Sequence, residues 1–156
     1  MSITAQIAKQ LRDVHFGGNW TAVNLKDTLN GVTWQQAVSK VHNFNTIAVL
    51  VYHINYYITE VLKVLQGEPL KASDKFAFSA PEISSEADWQ KLVNRIMAEA
   101  EMFAAAIEKL DDNKLSDNFA DPQYGNYYRN LTGIIEHAHY HLGQIVLIKK
   151  ILNQPA

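Results

Sequence analysis

From Val41 to Thr59 the chain carries no Asp, Glu, Lys or Arg. A charge-free stretch of that length must be hidden from water, in a bilayer or inside a protein core. The same stretch holds His42, Asn43, Asn45, Thr46, His53, Asn55 and Thr59, too many polar groups for a hydrocarbon environment. It therefore reads as the buried helix of a bundle, running from about Asn45 to Gln66 and stopped by Gly67, with Pro69 just beyond. A helix this apolar on most faces needs several partner helices.

Three further helical periodicities supply them. The first is capped by Ser2 and runs to about Val14, with Ile3, Ile7, Leu11 and Val14 on one stripe and Gly17-Gly18 ending it. Another opens at Ser85-Glu-Ala-Asp88 and runs to about Leu110, its core stripe including Trp89, Leu92, Ile96, Phe103 and Ile107. The last is expected from an Asn130 cap to about Leu152. A short extra helix starts at the capping box Thr33-Trp-Gln-Gln36 and ends near Lys40. Strand-like alternation competes nowhere, so the expectation is all-α: a four-helix bundle with long connecting loops and one short helix before the second long one. The chain of 156 residues suits one domain, spanning 1–156. The loops at about 67–84 and 111–129 exceed usual helix–helix connections, and read either as pocket walls or lids or as solvated loops.

Composition removes whole classes of chemistry. Without cysteine there is no disulfide framework, thiolate metal site or cysteine nucleophile. A net charge of -2 does not supply the basic field of a nucleic-acid binder. No signal-peptide pattern or membrane span is read, so the expected location is the cytoplasm.

Histidine is the compositional oddity, with six in the chain. His137 and His141 stand at i, i+4 and therefore project from one helix face. Random placement of six would give about 0.2 such pairs, so spacing alone says little. The face says more. It is shared with Ile134, Gln144, Ile145, Ile148 and Leu152, the apolar side of the helix, whereas His139 falls on the opposite side with Glu136 and Lys150. Two imidazoles turned toward a core need partners, and a divalent cation satisfies both in their neutral form. His53, mid-helix on a stripe with Leu50, Tyr57 and Val61, is the candidate third ligand; a hydrogen-bonded core histidine is the other reading. His42 lies about 16 Å from His53 by helix rise, too far for one ion. His15 and Trp20, flanking Gly17-Gly18, are either a pocket wall over the metal or a helix end with an aromatic packed on it.

Other signatures are thin. Glu136-His-Ala-His139 is a single Glu-x-x-His on the outward face, where a di-iron bundle needs two copies. Glu60 reads as an exposed helix charge or a carboxylate near His53. Tyr57 and Gln144 join His15 and Trp20 as candidate pocket-lining groups, and no residue is assigned a catalytic role.

The mid-helix histidine of Leu50-Val-Tyr-His-Ile-Asn-Tyr-Tyr57, the run His137-x-x-x-His141-Leu-Gly-Gln-Ile145, and Gly17-Gly-Asn-Trp20 followed by Thr33-Trp-Gln-Gln-Ala37 together resemble the DinB-like superfamily of four-helix-bundle metalloenzymes. The resemblance implies that His53, His137 and His141 form a metal triad and that the protein is a homodimer. It also implies kinship with transferases and isomerases that use low-molecular-weight thiols. Three neutral imidazoles leave a coordination position open, which suits a metal-dependent enzyme activating a small thiol or water, transferase-like or hydrolase-like. Zinc or nickel leads, and iron and copper are compatible. The alternative is a non-catalytic bundle that binds a metal or small ligand.

Overall fold

A computed structural model describes residues 1–154. Six α-helices and two 3-10 turns are found among them, with no β-strand beyond an isolated bridge between Asn118 and Asn126. The long helices are α1 (Ile3–Phe16), α4 (Ile47–Leu65), α5 (Glu86–Glu108) and α6 (Tyr127–Leu152). Two short ones precede α4: α2 (Leu25–Leu29) and α3 (Trp34–Val38). Only α3 is anticipated from its capping box; in α2, Asn24 accepts from Asp27 N–H in the same way without that motif.

Each long helix begins where a side-chain oxygen takes up orphan amides. Ser2 caps α1, Thr46 caps α4, Ser85 caps α5 and Asn126 caps α6. The cap of α6 thus lies four residues before the expected Asn130. The Tyr127 amide donates to the Asp117 carbonyl at 3.0 Å and Gly125 turns with φ of +79°, so the chain is already committed to the helix there. Asn130 instead donates to the Tyr124 and Asn126 carbonyls, tying the preceding turn to the helix. Asp112, from the 3-10 turn Asp112–Ser116, accepts from the Ile3 and Thr4 amides, both at 2.9 Å, which holds its carboxyl below the usual range.

Packing runs in a ring: α1 lies against α5, α5 against α4, α4 against α6, and α6 against α1. The shared interior holds Leu11, Val14, Ile54, Ile58, Trp89, Phe103, Ile107, Leu131 and Ile145, all buried. The Trp89 indole N–H donates to the Val32 carbonyl at 2.8 Å, tying the segment before α3 to α5. On the surface, Arg12 forks onto Glu101 and Glu108 across the α1–α5 seam. No described helix is long and apolar enough to cross a membrane.

His15 closes α1 from within. It is 1% exposed, its Nδ1–H donates to the Leu11 carbonyl at 2.8 Å, and burial pulls its pKa down to about 4. Between roughly pH 6.5 and 4 the unfolded chain binds a proton there that the folded chain refuses, so stability drops as pH falls through this window. His15→Asn keeps a donor and cannot titrate. At pH 4 it is expected to retain about 3 kcal/mol of stability that the natural chain loses relative to pH 7, read by urea unfolding at both pH values.

Candidate metal centre

The centre is assembled by α4 and α6, which cross so that the middle of each faces the other. α4 contributes His53, 5% exposed; α6 contributes His141, 8% exposed, and the half-buried His137 one turn before it. The ring centroids make a nearly equilateral triangle of 4.7, 4.6 and 4.5 Å. One nitrogen from each ring lies within 4.8 Å of the others, and no carboxylate joins the group.

Proton positions follow from the partners. His53 Nδ1 lies 2.9 Å from the Ala77 carbonyl and must donate to it, which leaves Nε2 with a bare lone pair. His141 Nδ1 lies 2.7 Å from Gln144 Oε1 and donates likewise, again baring Nε2. Each outer hydrogen bond fixes a tautomer and turns the lone pair inward, the arrangement that metal-ligating histidines use. His137 differs. Its Nε2 faces His53 Nε2 at 3.0 Å, and its Nδ1 is buried with no partner among the described residues. Because His53 Nε2 is bare, His137 Nε2–H donates to it, and a bound cation would take the place of that proton.

Burial and the neighbouring imidazoles push His137 down to about 4, and burial lowers His53 as well. Both are neutral at pH 7, the form that ligates metal. Two nitrogens each about 2.0–2.1 Å from one tetrahedral zinc ion lie about 3.3 Å apart, so the 3.0 Å spacing of His53 and His137 Nε2 needs to open by only a few tenths of an ångström to admit one. The donor set, its spacing and its fixed tautomers fit a divalent metal.

The remaining candidates are placed as follows. Tyr57 packs edge-on against His53 and His137, at 5.5 and 5.1 Å between centroids, and its hydroxyl donates to Asp74 at 2.9 Å. Gln144 touches the centre through His141. His15 lies in the α1 terminus against Phe16, while Trp20, fully exposed, walls a wide surface cleft with Asp13, Gly18, Asn19 and His139. None of the three ring-forming histidines lines that cleft. His139 is half-buried in the wall of that cleft, not fully solvent-facing as its helical sector suggests. Glu60 is 9% exposed and paired with Lys63 at 2.6 Å, so neither reading of it as an exposed charge or as a partner of His53 holds.

The segment after α4, read from the sequence as either a pocket wall or lid or a solvated loop, had no residue in it singled out. Gly67–Ser84 folds back over the centre: Ala77 is wholly buried and supplies the carbonyl for His53, and Phe78 stacks on the His53 ring at 3.8 Å and 11°. The Tyr56 hydroxyl accepts from the Ser73 amide, and Asp74 receives Tyr57. Backbone carbonyls leave no trace in a sequence; Phe76 and Phe78, two aromatics in a loop of mixed composition, were the available signal. Phe78 remains 46% exposed, so Phe78→Ala is expected to leave the unfolding midpoint nearly unchanged while speeding metal extraction by chelator several-fold.

Together these features define an all-α bundle with a buried three-imidazole cluster between two of its helices. The chain belongs to the DinB superfamily, whose family model matches residues 8–145. Neither the curated proteins nor the solved structures show a significant match to the chain.

Proposed function

We propose that the protein is a metal-dependent enzyme in which His53, His137 and His141 hold a divalent ion that activates a small thiol or water, in a transferase-like or hydrolase-like reaction. The observation that carries this reading is the inward-facing, all-imidazole donor set. When bound, the cation supplies a positive charge that no carboxylate of the donor set offsets and that acidifies a thiol or water at neutral pH.

The protein's own residues orient and shield. The Ala77 carbonyl and Gln144 Oε1 hold two rings in register by their Nδ1 protons. Phe78 and Tyr57 pack on the His53 ring and limit water on that side. Low dielectric around the rings strengthens their interaction with a charged centre. Zinc and nickel are the proposed ions, with iron and copper compatible with the same ligands. A low-molecular-weight thiol as co-substrate, a homodimeric state and a cytoplasmic location belong to the same proposal and draw on the family.

Elemental analysis of untagged protein from metal-replete cells is the first test, with about one ion per chain expected. Finding no metal overturns the reading. With zinc or nickel loaded, consumption of a small thiol in the presence of halogenated aromatics or epoxides is expected. If the metal is present and no thiol is consumed, the transferase form fails and ester or amide hydrolysis is the form left to assay.

A further inference from the structure

Between the segment leading into α4, α4 itself and α6 lies a cleft of about 310 Å³, with Gln144, the partner of His141, in its wall. Its walls are Asn43, Phe44 and Asn45 from the segment leading into α4, Leu50 from α4, and Gln144, Leu147 and Ile148 from α6. We propose that this cleft binds a small uncharged molecule with an apolar body and one hydrogen-bond acceptor, gripped by the side-chain amide of Gln144.

Three features of the lining carry the inference. The floor is apolar and rigid, since Leu50 and Ile148 are core residues only 2% and 3% exposed. The sides are apolar and reachable, since Phe44 and Leu147 are 52% and 56% exposed. The polar groups are all amides: Asn43, Asn45 and Gln144, with no charged side chain among the lining residues. Pockets for small ligands start at roughly 300 Å³ and pair a mostly apolar lining with a few placed polar groups.

Gln144 gives the cleft its chemical preference. Its Oε1 is engaged by His141, while its Nε2 has no partner among the described residues. The free end of this amide can only donate, so it selects an acceptor such as a carbonyl oxygen. A carboxylate or phosphate would forfeit its hydration here without meeting a cation, which is unfavourable by several-fold or more in affinity. An ammonium would find no carboxylate. Carbonyl-bearing, uncharged, largely apolar molecules are the class that remains.

Binding is measured on metal-free protein, so it stands or falls separately from the metal-site reading.

The probe is benzamide, with benzoate and benzylamine as charged counterparts of similar shape. Amide and methyl NMR of the metal-free full chain is expected to show benzamide shifting the Gln144 side-chain amide and the Leu147 and Ile148 methyls, saturably, in the millimolar range. Benzoate and benzylamine should bind at least ten-fold more weakly. Leu147→Trp, at an exposed wall position, should fill the cleft and cut benzamide binding at least ten-fold; if that variant fails to fold, Phe44→Ala removes the opposite wall and should weaken binding several-fold. No saturable benzamide shift, equal binding of benzoate, or unaltered binding in the folded wall variants would overturn the proposal.

Discussion

His53→Gln and His141→Gln are each expected to abolish tight metal binding and, with it, the difference in thermal stability between chelated and metal-replete protein. An ion that binds only the folded chain stabilises it by about 4 kcal/mol when its free concentration is a thousand times the dissociation constant. For a chain of this size each kcal/mol moves the melting temperature by about 2–4 °C, so roughly 8–16 °C of chelator-sensitive stabilisation should vanish. Glutamine keeps an amide near the Ala77 carbonyl or Gln144 but offers no imidazole lone pair. Differential scanning calorimetry of natural and variant proteins, each with and without chelator, separates metal loss from unfolding. A variant that folds and still shows the full chelator-sensitive shift would contradict the three-imidazole site.

Trp89→Ala is the core substitution with the largest expected cost. The side chain is fully buried at the meeting of α5 with the segment before α3, and its N–H serves the Val32 carbonyl. Removing it leaves a cavity worth about 3–5 kcal/mol. It also strands a buried carbonyl, which adds about 1–3 kcal/mol if no water replaces the indole. Trp89→Phe keeps most of the volume and loses the hydrogen bond, and should cost about 1–3 kcal/mol by urea unfolding. Metal affinity in Trp89→Phe is expected to stay within two-fold of the natural chain, because α4 and α6, not α5, carry the ligands. A larger metal defect would mean that the core and the centre are coupled.

Particular residues show which parts of this molecule were legible in advance. The apolar stripes and caps located α1, α4 and α5 to within a residue or two, since amphipathic period and capping chemistry are local properties. Asn130 misplaced the start of α6 because an Asn near a helix end can cap or can bond backward to carbonyls, and only the Asn118–Asn126 bridge and the Asp117 carbonyl decide between them. Glu60 shows the same limit: its spacing from His53 puts it on one face, but pairing with Lys63 and burial against neighbouring elements decide its role.

His137 and His141 share a face by helical period alone, and the absence of charge around His53 already required that residue to be buried. That His53 meets His137 at 3.0 Å, with two of the three lone pairs turned inward, was decided by the crossing of α4 and α6 and by a carbonyl at Ala77 from a loop without regular structure. Periodicity fixes directions within one helix, whereas distances between helices and the donors offered by loop backbone arise only when separate segments pack together.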